Sequence, residues 1–88
     1  MREPYESVVL AAVLTDVVNE LDKATKTHGS FASAHEGWAV LKEEVDELWD
    51  EVKRRVKDPV AMRKEAIQVA AMGLRFVFDV CDKEKHDI

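Results

Sequence analysis

Between Trp38 and Val56 the apolar side chains fall at three- and four-residue intervals: Trp38, Leu41, Val45, Leu48, Trp49, Val52 and Val56. That is a helical period, and it lays down an apolar stripe roughly 100° wide. Ser33, followed three residues later by Glu36, has the form of a capping box, so the helix is expected to start just after Ser33. Lys53, Arg54, Arg55 and Lys57 are expected to close it, because cations suit the negative end of a helix dipole. Upstream, a first helix is expected from about Tyr5 to Lys26, with Pro4 well placed for its first position. Its first half, Val8 to Val18, is apolar on almost all sides, and its second half is polar apart from Leu21 and Ala24. Thr27-His28-Gly29-Ser30 reads as the break, with Gly29 free to take the positive φ that ends a helix. Downstream, Asp58-Pro59 offers an aspartate cap and a first-turn proline for a third helix running to about Lys83, before a polar tail. With two or three residues between them, the second and third helices are expected to form an antiparallel hairpin. The expected fold is all-α, three helices in one domain over residues 1–88.

The third segment is too apolar for a surface helix. From Ala66 to Cys81 the only polar side chains are Gln68, Arg75 and Asp79, which with Glu65 fall in one narrow stripe. A helix apolar nearly all round sits in the middle of something larger. An 88-residue chain buries only a little over ~60% of its unfolded surface. Both arguments lead to homo-oligomerisation, a dimer or a tetramer, through the first and third helices. Ala66, Ala70, Ala71 and Gly73 would permit close backbone approach.

Charge and cysteine content narrow the partners. Eighteen acids against 13 lysines and arginines leave a net charge of −5, a poor start for binding a nucleic-acid polymer. The single basic cluster is explained by the end of the second helix. One cysteine, Cys81, excludes an internal disulfide framework and is expected to be a small buried hydrophobe in a reducing compartment. The run Val8 to Leu14 resembles a short signal-peptide core, but Glu3, Glu6 and Asp16 flank it and no stretch reaches membrane-span length. The expected location is the cytoplasm, with no membrane partner.

The chemistry concentrates on the second helix, in Glu43, Glu44, Asp46, Glu47, Asp50 and Glu51. Around Glu47 every neighbour three or four positions away is an acid: Glu43, Glu44, Asp50 and Glu51. Four such like-charge pairs cost on the order of 1–2 kcal/mol together. Lys42 can pair with Asp46, Arg54 with Asp50 and Arg55 with Glu51, which leaves Glu43, Glu44 and Glu47 without a cation on their own helix. Counted from Asp58 at about 1.5 Å per residue, Gln68 comes level with Glu47, and Glu65 lies one turn away. Two readings follow: a solvated acidic face opposite a solvated stripe, or carboxylates gathered around a divalent cation. Oxygen donors without Cys or His at ligand spacing suit Mg²⁺ or Mn²⁺.

These residues resemble the all-α nucleotide pyrophosphohydrolases of the MazG type, whose signature is EExxE on one helix and ExxD on the next. The first half stands here as Glu43-Glu44-Val45-Asp46-Glu47 and the second as Glu65-Ala66-Ile67-Gln68. Phe31 to Trp38 looks like the loop and helix start of small MazG-like proteins, and the resemblance extends to about Asp79. It implies Mg²⁺-dependent cleavage of a nucleoside triphosphate to a monophosphate and pyrophosphate by a helical dimer or tetramer. It also implies that Glu44, Glu47 and Glu65 hold the metal, with Glu43 a further ligand or the group that orients the attacking water. Gln68 stands where the family usually has Asp, and its neutral amide oxygen is a weaker ligand for a hard cation.

Arg75, on the stripe of Glu65 and Gln68, is the expected holder of the triphosphate tail, against the alternative of an ion pair with Asp79 four residues on. Phe31 in its loop and His35 in the first helical turn are candidate substrate contacts, while Trp38 and Trp49 are expected in the core rather than stacked on a base. Two rivals remain: a catalytically degenerate oligomerisation or interaction module, and an enzyme like phosphoribosyl-ATP pyrophosphohydrolase. Gln68 and the apolar run Val69 to Leu74 do not look like that second branch.

Overall fold

A computed structural model describes residues 6–82 as three α-helices and one π-helical turn, with no strand among the described residues. They are α1 (Ser7–His28), α2 (Ala34–Val52), α3 (Pro59–Phe76) and the π-turn Val77–Cys81. The expected role of Pro4, the start at Tyr5 and the tail from Lys83 lie outside the described residues. Local chemistry sets the starts of α2 and α3. Ser33 Oγ accepts from Glu36 N at 3.1 Å, and Glu36 Oε1 reaches back to Ala32 N at 3.0 Å, one residue before the cap. Asp58 Oδ1 accepts from Val60 N and Ala61 N at 3.1 and 3.2 Å, ahead of a first turn opened by Pro59. At the end of α1, Gly29 takes φ +70 and its N–H donates to Thr25 O at 2.9 Å.

The end of α2 departs from expectation. The helix stops at Val52, so Lys53 to Asp58 form a six-residue connection rather than one of two or three. The basic residues belong to this connection. Lys57 Nζ donates to the carbonyls of Val52 and Arg54, so a cation still meets the helix end, from outside it. Early termination also moves the ion pairs by one residue. Arg54 meets Glu51 and Lys53 meets Asp50, each at 3.0 Å, while Lys42–Asp46 forms as expected at 2.8 Å. Val56, last of the apolar stripe, is exposed.

The hairpin is antiparallel. Gly37 faces Phe76, Glu44 faces Gln68 and Glu47 lies beside Glu65, all centred close to Val56. Gly37 is required by this closeness: a Cβ there would lie 2.7 Å from Phe76 and 3.1 Å from Phe31. α1 runs parallel to α3, since Asp16 pairs with Arg63 at 2.6 Å and Gly29 lies against Arg75. α3 is therefore the central helix, packed on both others, and its apolar character is partly explained within one chain.

The core is thin. Val17, Phe31, Ala71 and Met72 are its buried apolar members, with Leu21, Val40, Leu41, Ile67 and Phe76 among those packed against it. The parallel offset leaves the first turns of α1 beyond the start of α3, and Val8 is 81% exposed. The radius of gyration is 14.8 Å, above the ~12 Å expected for a compact chain of this length. Trp38 and Trp49, expected in the core, are 56% and 58% exposed on the outer side of α2. Cys81, expected buried, is exposed in the π-turn. Ala66, Ala70 and Leu74 of α3, with Val77 and Phe78 of the π-turn, make an outward face.

Candidate metal centre

The hairpin register brings three carboxylates together. Glu44 and Glu47 lie one turn apart on α2, and Glu65 projects from α3 opposite them. One carboxylate oxygen from each lies within 4.8 Å of the others, and all three side chains are half-buried. None of the ion pairs among the described residues involves them. Gln68 completes the cluster. In the orientation its neighbours require, its amide nitrogen donates to Glu44 Oε2 at 2.9 Å and to Glu65 Oε2 at 3.0 Å. Gln68 thus faces the site as expected, but opposite Glu44 rather than Glu47. The longer connection shifts the register by about one turn.

Crowding is written in the acidities. Glu44 is pushed up from 4.5 to about 7, first by burial, then by the charge of Glu47 and a hydrogen bond with it, then by Glu65 and Glu43. Glu65 is raised by burial and by Glu47, with Lys64 opposing. Carboxylates this close disfavour one another's charge, and Glu44 is the one that holds a proton most readily toward neutrality. The donor set fits a hard divalent cation: oxygen only, partly shielded, and spread over the ~4–5 Å that separates opposite ligands of Mg²⁺ or Ca²⁺.

The other expected site residues divide. Glu43 is exposed and stands outside the trio, at the mouth of a 310 Å³ cavity shared with Glu44. A second cavity, of 260 Å³, is lined by Lys23, Thr27, His28, Glu44, Gln68 and Arg75. Arg75 is a wall of both cavities, yet it is only 4% exposed and its groups are spent inside the protein. Nη2 donates to Gly29 O at 2.6 Å, the guanidinium lies 4.0 Å from the centre of the Phe31 ring, and Nε faces Asp79 at 3.7 Å. The guanidinium is thus committed to partners within the chain, and of the two expectations for Arg75 the pair with Asp79 is the one formed. Phe31 is in a loop but only 3% exposed, wedged between Arg75, Gly37 and Phe76, and it lines the cavity of Glu43 and Glu44. His35 is exposed at the start of α2, beside Trp38 and Phe76 and away from the carboxylates.

Two residues that the sequence did not single out for the site, Lys23 and His28 of α1, line the second cavity together with Glu44 and Gln68. Their signal was the polar half of α1, where Glu20, Lys23 and Thr27 recur at three- and four-residue spacing. A larger cavity of 540 Å³ continues from Glu20 and Lys23 toward Arg63 and Lys64 at the start of α3.

Compared with protein-family models, curated proteins and solved structures, the chain matches none. Among the described residues no helix is long and apolar enough to cross a membrane.

Proposed function

We propose that this chain is a divalent-cation-dependent nucleotide pyrophosphohydrolase, as its resemblance to the MazG type implies. The observation that carries the reading is the convergence of Glu44, Glu47 and Glu65 within 4.8 Å, with Glu44 pushed up to about 7. Such a cluster is costly without compensation, and Mg²⁺ or Mn²⁺ held by these three groups compensates it. When bound, the cation neutralises phosphate charge and acidifies a water. Glu43, at the mouth of the cavity it shares with Glu44, takes the proton from the attacking water. Water oxygen bonds to the α-phosphorus, the bond to the bridging oxygen breaks, and pyrophosphate leaves. Lys23 offsets the charge of the triphosphate and His28 offers it a hydrogen bond, both from the cavity they share with Glu44. Gln68 holds Glu44 and Glu65 in place.

The exposed apolar faces of α1 and α3 support a homodimer or homotetramer, and the lone cysteine suits a cytoplasmic setting. A second reading is favoured by Gln68 itself. Its amide already satisfies two of the three carboxylates without a metal, as a degenerate helical interaction module would require.

A pyrophosphate-release screen across ribo- and deoxyribonucleoside triphosphates separates the two. The enzyme releases pyrophosphate only with Mg²⁺ or Mn²⁺, and Glu47→Gln abolishes the release. No release from any triphosphate at high protein concentration overturns the enzyme reading. Sedimentation as a single chain at micromolar concentration overturns the oligomer.

A further inference from the structure

The connection between α1 and α2 is tied to the far end of α3 by two side chains one turn apart. Arg75 donates through Nη2 to the carbonyl of Gly29, at 2.6 Å. Asp79, in the π-turn, accepts through Oδ2 from the N–H of Phe31, at 3.0 Å. The pair thus grips the chain on either side of Ser30, where Gly29 has turned it with φ +70. Beneath the grip, the Phe31 ring is covered by the guanidinium and seated in the notch left by Gly37.

This arrangement is an expensive way to hold a loop. Arg75 is nearly fully buried, and its Nε has no hydrogen-bond acceptor. The one oxygen within reach, Asp79 Oδ2, is spent on Phe31 and stays 3.7 Å away, a charge contact rather than a hydrogen bond. Buried ion pairs seldom add net stability over an apolar replacement, and position is what they specify best. The position specified here has a consequence for the site. The gripped segment and Arg75 wall the cavity that opens on Glu43 and Glu44, and Arg75 also walls the neighbouring one on Glu44 and Gln68. Asp79 belongs to the π-turn, which is closed by Asp82 N donating to Val77 O at 2.9 Å.

We propose that Arg75 and Asp79 form a latch. They are positioning residues that fix the segment Gly29 to Phe31, and with it the Phe31 wall of the cavity beside Glu43 and Glu44, and so set how firmly a ligand is held there. Only the ligand-holding part rests on the pyrophosphohydrolase reading.

Amide hydrogen exchange on the full chain tests the latch directly, without metal or substrate. In Asp79→Ala the Phe31 amide should exchange at least about tenfold faster, while amides in mid-α2 and mid-α3 keep their rates. Asp79→Asn, which retains an acceptor oxygen, should restore most of the protection. Arg75→Lys keeps the charge but loses the fork that reaches Gly29, and it should loosen Phe31 in the same selective way. An unchanged Phe31 rate in Asp79→Ala overturns the latch. So does equal acceleration throughout α2 and α3, which would mark a merely structural residue.

The effect on the site is read separately, by Mn²⁺ titration and by turnover of the best triphosphate. Asp79→Ala should leave Mn²⁺ affinity within about twofold and raise KM at least about threefold with kcat little changed. Selective loosening of Phe31 with an unchanged KM would overturn the link to ligand holding. If no triphosphate turns over in the wild type, the pyrophosphohydrolase reading falls, while the exchange result still decides the latch.

Discussion

Raising the pH in the absence of divalent cations should destabilise this protein, and Glu44 sets the sign. In the unfolded chain a glutamate ionises near 4.5, whereas in the fold Glu44 does so near about 7. Between those values the folded state keeps a proton that the unfolded state has released. The contribution is therefore fully present below about 4.5, falls as the pH climbs to about 7, and is level above it. At about 1.4 kcal/mol per pH unit the ceiling for Glu44 is about 3 kcal/mol. Solvent reaches the half-buried group, so a realistic figure is about 1–2 kcal/mol. Glu65 is raised too and adds in the same direction. For a chain of this size each kcal/mol moves Tm by roughly 4–8 °C, so a fall of roughly 5–15 °C between about pH 5 and about pH 8 is expected. The measurement is thermal unfolding followed by circular dichroism in chelator-treated buffer, for wild type and Glu44→Gln. The variant lacks the titrating group and should show a clearly flatter profile. Millimolar Mg²⁺ at the alkaline end should recover the lost stability in wild type alone, by mass action on the folded state. Parallel profiles for the two proteins, or a wild-type Tm that rises with pH, would refute the account of the carboxylate cluster.

Gln68→Asp should tighten Mn²⁺ binding by roughly tenfold in calorimetric titration, while lowering the metal-free Tm at neutral pH because a fourth like charge joins the trio. Gly37→Ala should destabilise by about 1–3 kcal/mol in denaturant unfolding, because the added methyl meets Phe76 at 2.7 Å and overpacking outweighs the gain in helix propensity. Asp58→Ala should cost about 1 kcal/mol in the same assay, since two α3 amides lose their acceptor.

What could be read from the sequence was what local chemistry decides. The Ser33 and Asp58 caps sit where their side chains can bond only nearby amides, and both formed as expected. The three-helix fold and the antiparallel hairpin followed from periodicity and from those caps. The end of α2 was not legible, because the apolar period runs on to Val56 while the helix stops at Val52. Periodicity says which face a residue would occupy on a helix and is silent about where helix gives way to turn. That error propagated into register and set Gln68 level with Glu47, whereas the fold pairs it with Glu44. The role of Arg75 was hidden for a different reason. Its partners Gly29 and Phe31 lie more than 40 positions away, and no spacing rule connects them. Phe31 looked available because loops are usually solvated, whereas here the loop is pinned down. The tryptophans of α2 show the reverse. Their spacing marks an apolar stripe correctly, but one chain does not have enough surface to cover its outer edge.

Gln68 is the residue on which the readings of the site turn. An aspartate there would leave the metal-free cluster with four carboxylates and no donor among them. A glutamine supplies two hydrogen bonds, to Glu44 and Glu65, each worth about 0.5–3 kcal/mol according to the charge on its acceptor, and so removes part of the strain that a cation would otherwise relieve. The same side chain, rotated half a turn about its last bond, presents its oxygen to the centre of the trio. Binding a metal therefore means giving up those two bonds, and affinity must be lower than an aspartate would confer. A site compensated in this way stays folded when the metal is scarce, with its proton near Glu44, and fills only when the cation arrives with enough additional binding energy. If the chain is the pyrophosphohydrolase proposed above, a triphosphate chelating the same ion would be a source of that energy, and metal and nucleotide should then bind more tightly together than either does alone.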